Sequence, residues 1–210
     1  MIRGAGSCAA LILLAACSQA GPDPDPAPVT TGATVFEKRT LVAAPNGSIS
    51  LRIEAGEVVL SAGFLRQSPV ATVGVPSEVS WAPDSRRFFI NDGGGASRSR
   101  FRLWSVDARA QARESAAIHE AVIAELGRRN GCDSVSEAEV ATQGLGWSAD
   151  GGRVHVMAEG RRQTGGCDWT GADSIVAVAD VETGGLVEVV EEGEARRRWP
   201  TLAWGPVTTP

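Results

Sequence analysis

Tyrosine is absent from the 210 residues, lysine occurs once, at Lys38, and histidine only at His119 and His155. So few imidazoles leave little material for acid–base chemistry that needs a group titrating near neutrality. The other cations are all arginines, a compositional bias that makes Arg161-Arg162 and Arg196-Arg197-Arg198 read as solvated faces rather than binding sites. The formal charge of -5 argues against nucleic acid or anionic lipid as a partner. None of the four cysteines stands in the C-x-x-C spacing that marks zinc sites. Beyond residue 16, no apolar run approaches the roughly 20 residues that a membrane-spanning helix needs.

The first sixteen residues read as a targeting segment, with Arg3 followed by the short apolar run 8–16. That run ends in Leu14-Ala15-Ala16-Cys17, which resembles the lipobox of bacterial lipoproteins. The resemblance implies that Cys17 is acylated as the mature N-terminus, and that Ser18 directs the protein to the outer membrane. Next comes SQAGPDPDPAPVTTGAT, residues 18–34, rich in proline and small polar residues with almost nothing to bury. It is expected to be an extended, disordered tether, spanning about 3.1 Å per residue, that holds a domain over residues 35–210 off the bilayer.

With Cys8 in the leader and Cys17 on lipid, Cys132 and Cys167 remain as the one pair in an oxidising compartment. A disulfide between them closes a loop of about 36 residues and contributes roughly 3 to 4 kcal/mol in the chain-entropy view. The rival is a metal site drawn from Cys132, Asp133, Cys167, Asp168 and His155. The pattern does not favour it, and no metal or other cofactor is expected.

WAPDSRRFFIND, starting at Trp81, is echoed by WSADGGRVHVMA, starting at Trp147. The alignment sets Trp81 on Trp147, Pro83 on Ala149, Asp84 on Asp150, Ser85 on Gly151 and Arg87 on Arg153. Each copy reads as a strand end, a turn and a second strand, because proline fixes φ, aspartate bonds nearby backbone amides and glycine accepts positive φ. Ala44-Pro45-Asn46-Gly47 is a fainter copy, and Trp204 with Pro206 repeats the opening near the end of the chain. Further strand candidates are 57–64, 101–107, 174–184 and 186–193, giving about a dozen short strands, as in sandwiches, barrels and propellers.

The W-[SA]-[PA]-D-[GS]-x-R pattern before an apolar strand resembles the WD40-like repeat of the TolB-type β-propellers. IVAVADVETG, with turn residues Asp180, Thr183 and Gly184, resembles the later strands of such a blade. The resemblance implies an all-β fold: a small or irregular propeller-like stack of antiparallel sheets with one inserted helix. The openings at Trp81, Trp147 and Trp204 are spaced more widely than the about 40 to 50 residues of a blade, so each interval holds an insertion. Closure of the stack is expected where a strand near Trp204 meets strands near Ile49, hiding two edges.

Residues 107–127 read as that inserted helix, capped by Asp107, with Ile118, Ala121, Val122 and Leu126 as the packing stripe. Strand alternation puts His155 and Met157 on one face, with His155 half-exposed. No G-x-S-x-G elbow occurs, and NDGGGASRSR, residues 91–100, lacks the lysine of a phosphate loop; it reads as a hairpin connection. Glu188, Glu191, Glu192 and Glu194 beside the arginines read as a solvated turn. Trp169, next to Cys167, is expected to cover the disulfide, and no catalytic residue stands out.

The expectation is therefore a lipid-anchored envelope module that binds another envelope protein or a cell-wall component, without nucleic acid. The alternatives are an envelope hydrolase, for which His155, Asp150 and Ser148 would share one pocket, and a purely structural lipoprotein. Labelled palmitate fed to cells should enter the protein and be lost from Cys17→Ala; equal labelling of the variant would remove the anchor.

Overall fold

The computed structural model describes residues 34–36, 39–63, 66–93, 99–161, 166–169 and 171–204. The expected leader, Cys17 and nearly all of the expected tether lie outside the described residues. Thr34, the last tether position, already belongs to a strand.

Among the described residues there are thirteen strands and two α-helices. The strands form three antiparallel sheets in which sequence neighbours are spatial neighbours. The first sheet is β2 (Thr40–Ala43), β3 (Ile49–Glu54), β4 (Glu57–Ala62) and β5 (Arg66–Thr72). The second is β6 (Ser77–Trp81), β7 (Arg87–Asp92), β8 (Arg100–Val106) and β9 (Ala112–Ser115), with β1 (Thr34–Phe36) added on the open edge of β6. The third is β10 (Val140–Trp147), β11 (Arg153–Gly160), β12 (Ser174–Asp180) and β13 (Leu186–Glu191). Each sheet is a meander of four consecutive strands, so every internal connection is a hairpin.

The alternation of side chains explains the stacking. On β7, Phe88 and Ile90 meet Leu51, Ile53, Val58 and Leu60 of the first sheet, while Phe89 faces Val154 and Val156 of the third. A strand buried on both faces reads as a continuous apolar run, and that is why RFFIND lacks alternation. On β12, Ile175, Ala177 and Ala179 face the second sheet, and Val176 and Val178 face the other way, under Trp199 and Leu202. In β3, by contrast, Leu51 and Ile53 are buried but Ser50 and Arg52 are only partly covered, because no described sheet packs on that face of the first sheet.

Helix α1 (Ala117–Arg129) is shorter than the sequence suggests. Asp107 does not cap it. Its carboxylate accepts the amides of Arg109 and Gln111 at 2.8 Å and closes the β8–β9 turn. Residues 112–115 then pair with β8 as an edge strand, so sheet completion overrides their helix-forming composition. Ile118, Val122 and Leu126 pack into the core between the second and third sheets, as the stripe predicts. Cys132, just beyond α1, is disulfide-bonded to Cys167 with the Cα atoms 5.9 Å apart, tying the helix to the loop after β11.

Three expectations for the C-terminal part are corrected. Residues 188–198 are not a solvated turn. β13 runs into a helix, α2 (Glu192–Arg198), supported by the Glu192–Arg196 pair at 2.7 Å and by the burial of Ala195. His155 is not half-exposed: α2 carries Trp199 over it, with ring centroids 4.8 Å apart. Nor does the chain near Trp204 meet Ile49, which pairs with Ala62. Ala203 donates instead to the Leu145 carbonyl of β10 at 3.0 Å, because α2 and Leu202 turn the chain across the third sheet.

Trp147 is fully buried between the second and third sheets. Trp147→Ala should lower the unfolding free energy measured in urea by about 3 to 5 kcal/mol; a near-neutral result would contradict its place in the core.

Candidate functional site

The three hairpins that join the first two strands of each sheet have one backbone design. Ala44, Ala82 and Ser148 each donate across the hairpin neck, to Ile49, Arg87 and Arg153, all at 2.9 Å. Inside the neck, Gly47, Ser85 and Gly151 donate back to Ala44, Ala82 and Ser148 at 2.8 to 2.9 Å. Those three residues have φ of 68°, 60° and 74°, the left-handed region that glycine accepts and serine enters at some strain. The side-chain oxygens of Asn46, Asp84 and Asp150 accept the amide two residues on, from Ser48, Arg86 and Gly152, at 2.8 to 2.9 Å. Pro45 and Pro83 precede these side chains, and Ala149 takes the same place in the third turn.

The tryptophans preceding these turns repeat as well. Trp81 donates its indole N–H to the Val42 carbonyl of β2, and Trp147 donates to Ser80 Oγ of β6. Val42 and Ser80 are the equivalent positions of the preceding sheet. Trp204 does not share this place: it follows α2, donates to the Trp199 carbonyl and lies under Arg196. Trp104 is stacked on Phe88, and Trp169 covers Gly160 while donating to the Arg161 carbonyl, so both rings are core. Neither forms an exposed aromatic patch.

The polar residues named for chemistry are dispersed. Ser148 Oγ donates to Asp150 and accepts the Arg153 amide inside its own turn, whereas His155 faces the other way, beneath Trp199. His119 Nδ1 lies 3.0 Å from Thr142 Oγ1, but that hydroxyl is buried and accepts the Phe101 amide. No cluster of three or more metal-ligating side chains occurs among the described residues. Arg100, at the end of the glycine-rich stretch 91–100, pairs with Glu137 at 3.1 Å. A small hollow of about 250 Å³ beside α2 holds Arg196, already paired with Glu192.

Packing brings the turn-bearing ends of neighbouring sheets together, and the two junctions differ. Between the second and third sheets, Gly151 sits against Asp84, and Arg87 bridges Asp84 at 2.8 Å and Glu182 of the β12–β13 turn. Between the first and second, Asn46 donates its amide to Ser85 Oγ, and beside it opens a groove of about 590 Å³. Ser48 and Ile49 line one wall, Ala62 and Arg66 the next, and Arg86 with Val106, Asp107 and Ala110 the rest. Its size matches a small-ligand site. The sequence reading missed this groove because its walls come from four separate turns, none with a motif of its own.

A buried carboxylate lies along the inner strands. Glu78 of β6 accepts a bond from Asn91 Nδ2 at 3.2 Å, and Asn91 also bonds the backbone of Gly144 in both directions, at 2.7 and 2.9 Å. Burial raises the Glu78 carboxyl above its ordinary value, with the Asn91 bond working in the opposite direction. A group whose folded value exceeds its unfolded one stabilises most below the unfolded value, and that contribution fades as pH rises through the folded value.

No protein-family model matches the chain, and no curated protein matches it either.

Glu78→Gln keeps the contact with Asn91 and should flatten the fall in the urea midpoint as pH rises above the ordinary glutamate value; an unchanged slope would dissociate Glu78 from it.

Proposed function

We propose that this chain is a lipid-anchored module of the bacterial cell envelope, facing the periplasm from the outer membrane, that recognises a ligand rather than transforming one. Its three sheets are, in this reading, successive blades of a TolB-type propeller. The three turns with one hydrogen-bond design support that kinship, as do the two indoles seated on equivalent positions of the preceding sheet. The Cys132–Cys167 bond supports an oxidising compartment. Cys17, outside the described residues, is the proposed lipid site.

The observation that carries the recognition reading is the groove between the first and second sheets. Asn46, Asp84, Asp150 and Arg87 hold turns or bridge sheets, whereas Arg66 and Arg86 line the groove and form no ion pair among the described residues. Side chains of this kind suit binding more than acid–base chemistry, since a guanidinium stays charged.

A photo-reactive residue placed at Ala108, on the groove wall, should yield a discrete crosslinked envelope component in intact cells. The same residue at Arg197, on α2, should not. Equal crosslinking from both positions, or recovery of the Cys17→Ala variant in the membrane fraction, would count against the reading.

A further inference from the structure

The two junctions between sheets are built on the same turns, so one shows what the other omits. At the second junction the cation is Arg87, the fifth residue after Ala82, and its carboxylate partner is Glu182, two residues beyond the turn aspartate Asp180. Asp180 bonds the amides of Glu182 and Thr183, as Asp107 bonds those of Arg109 and Gln111. At the first junction the residue equivalent to Arg87 is Ile49, and the one equivalent to Glu182 is Arg109. The internal carboxylate is therefore replaced by a cation, and the slot is the open groove that Ile49, Ala108 and Ala110 line.

Around that slot arginines outnumber carboxylates among the described residues. Arg66 enters from the β4–β5 turn and Arg86 from the β6–β7 turn; Arg109 stands between two lining residues. None of the three forms an ion pair among the described residues. The one carboxylate among the described lining residues, Asp107, directs Oδ1 to two backbone amides of its own turn. Arg86 is held by its backbone, its amide bonded to Asp84 and its carbonyl accepting the Val106 amide at 2.7 Å, so its side chain starts from a fixed wall. Planar guanidiniums lining one open groove match the oxygens of a carboxylate or phosphate, and two of them match two negative charges.

We infer that the groove between the first and second sheets binds a small dianionic ligand through Arg66 and Arg86, the ligand's oxyanion taking the place that Glu182 fills at the second junction. This rests on the recognition reading above and names the chemistry of that site. Carboxylates and phosphates share the recognising geometry. Ile49 and Val106 in the lining suit a short apolar spacer between the charges.

Calorimetric titration of the mature protein with pyrophosphate and with glutarate tests it, with acetate as the single-charge comparison. At least one dianion should bind at micromolar to millimolar concentration, more tightly than acetate and more weakly as salt rises. The probe that binds distinguishes a phosphate from a carboxylate source. Arg66→Ala and Arg86→Ala should each weaken binding about 10- to 100-fold, the loss expected for a hydrogen bond to a charged partner. Arg86→Lys should retain more of the binding than Arg86→Ala does, and Arg197→Ala, on α2, should bind as the wild type does. Thermal midpoints of these exposed variants separate unfolding from loss of the site. If neither dianion binds while the Ala108 crosslink still forms, the anion assignment falls and the recognition reading stands. If the Arg66→Ala/Arg86→Ala double variant binds as the wild type does, the location is wrong.

Discussion

Everything in this fold depends on an indole crossing from one sheet to the sheet before it. Trp81 and Trp147 each end the first strand of a sheet, and each plants its ring against the preceding one, with its N–H bonded to the equivalent position there. A ring of that size buries a large apolar area between two sheets, and its single polar atom fixes where the ring sits. Sheets of four short strands are weak alone, and stacking through these rings makes them one core.

The turns follow from the same constraint. To end one strand and reverse direction within a few residues, just after the tryptophan in the second and third sheets, the chain needs a left-handed residue and an acceptor that holds the turn. Asn46, Asp84 and Asp150 are those acceptors. Arg87 adds a bridge between sheets where the third sheet offers Glu182, and no such bridge forms where the second offers Arg109. Two substitutions in the repeated turns, Ile49 in the place of Arg87 and Arg109 in the place of Glu182, thus separate a closed junction from an open one.

How much of this was readable in the sequence can be judged residue by residue. The tryptophans, the turn aspartates and the disulfide pair carried strong local signals, because each is fixed by short-range chemistry. Residues 107–115 misled, since alanine and arginine favour a helix locally while the unpaired edge of β8 decided the outcome. Trp204 misled for a different reason: Trp-x-Pro copies a pattern without the strand that gives it meaning, and α2 had already turned the chain aside. The groove was invisible because it belongs to four turns brought together by packing. His155 looked half-exposed because alternation says which face a side chain takes but not what will cover that face.

Gly144 has a consequence for how the second and third sheets fit. A side chain there would enter the rings of Phe89 and Phe101, at 2.8 to 2.9 Å from its first carbon. With that space free, the Asn91 amide reaches the Gly144 backbone and bonds it as a neighbouring strand would. Greasy faces alone tolerate sliding, but a paired donor and acceptor at one spot do not. The amide therefore works as a key in a lock, setting the longitudinal offset of one layer on the next to within a single residue.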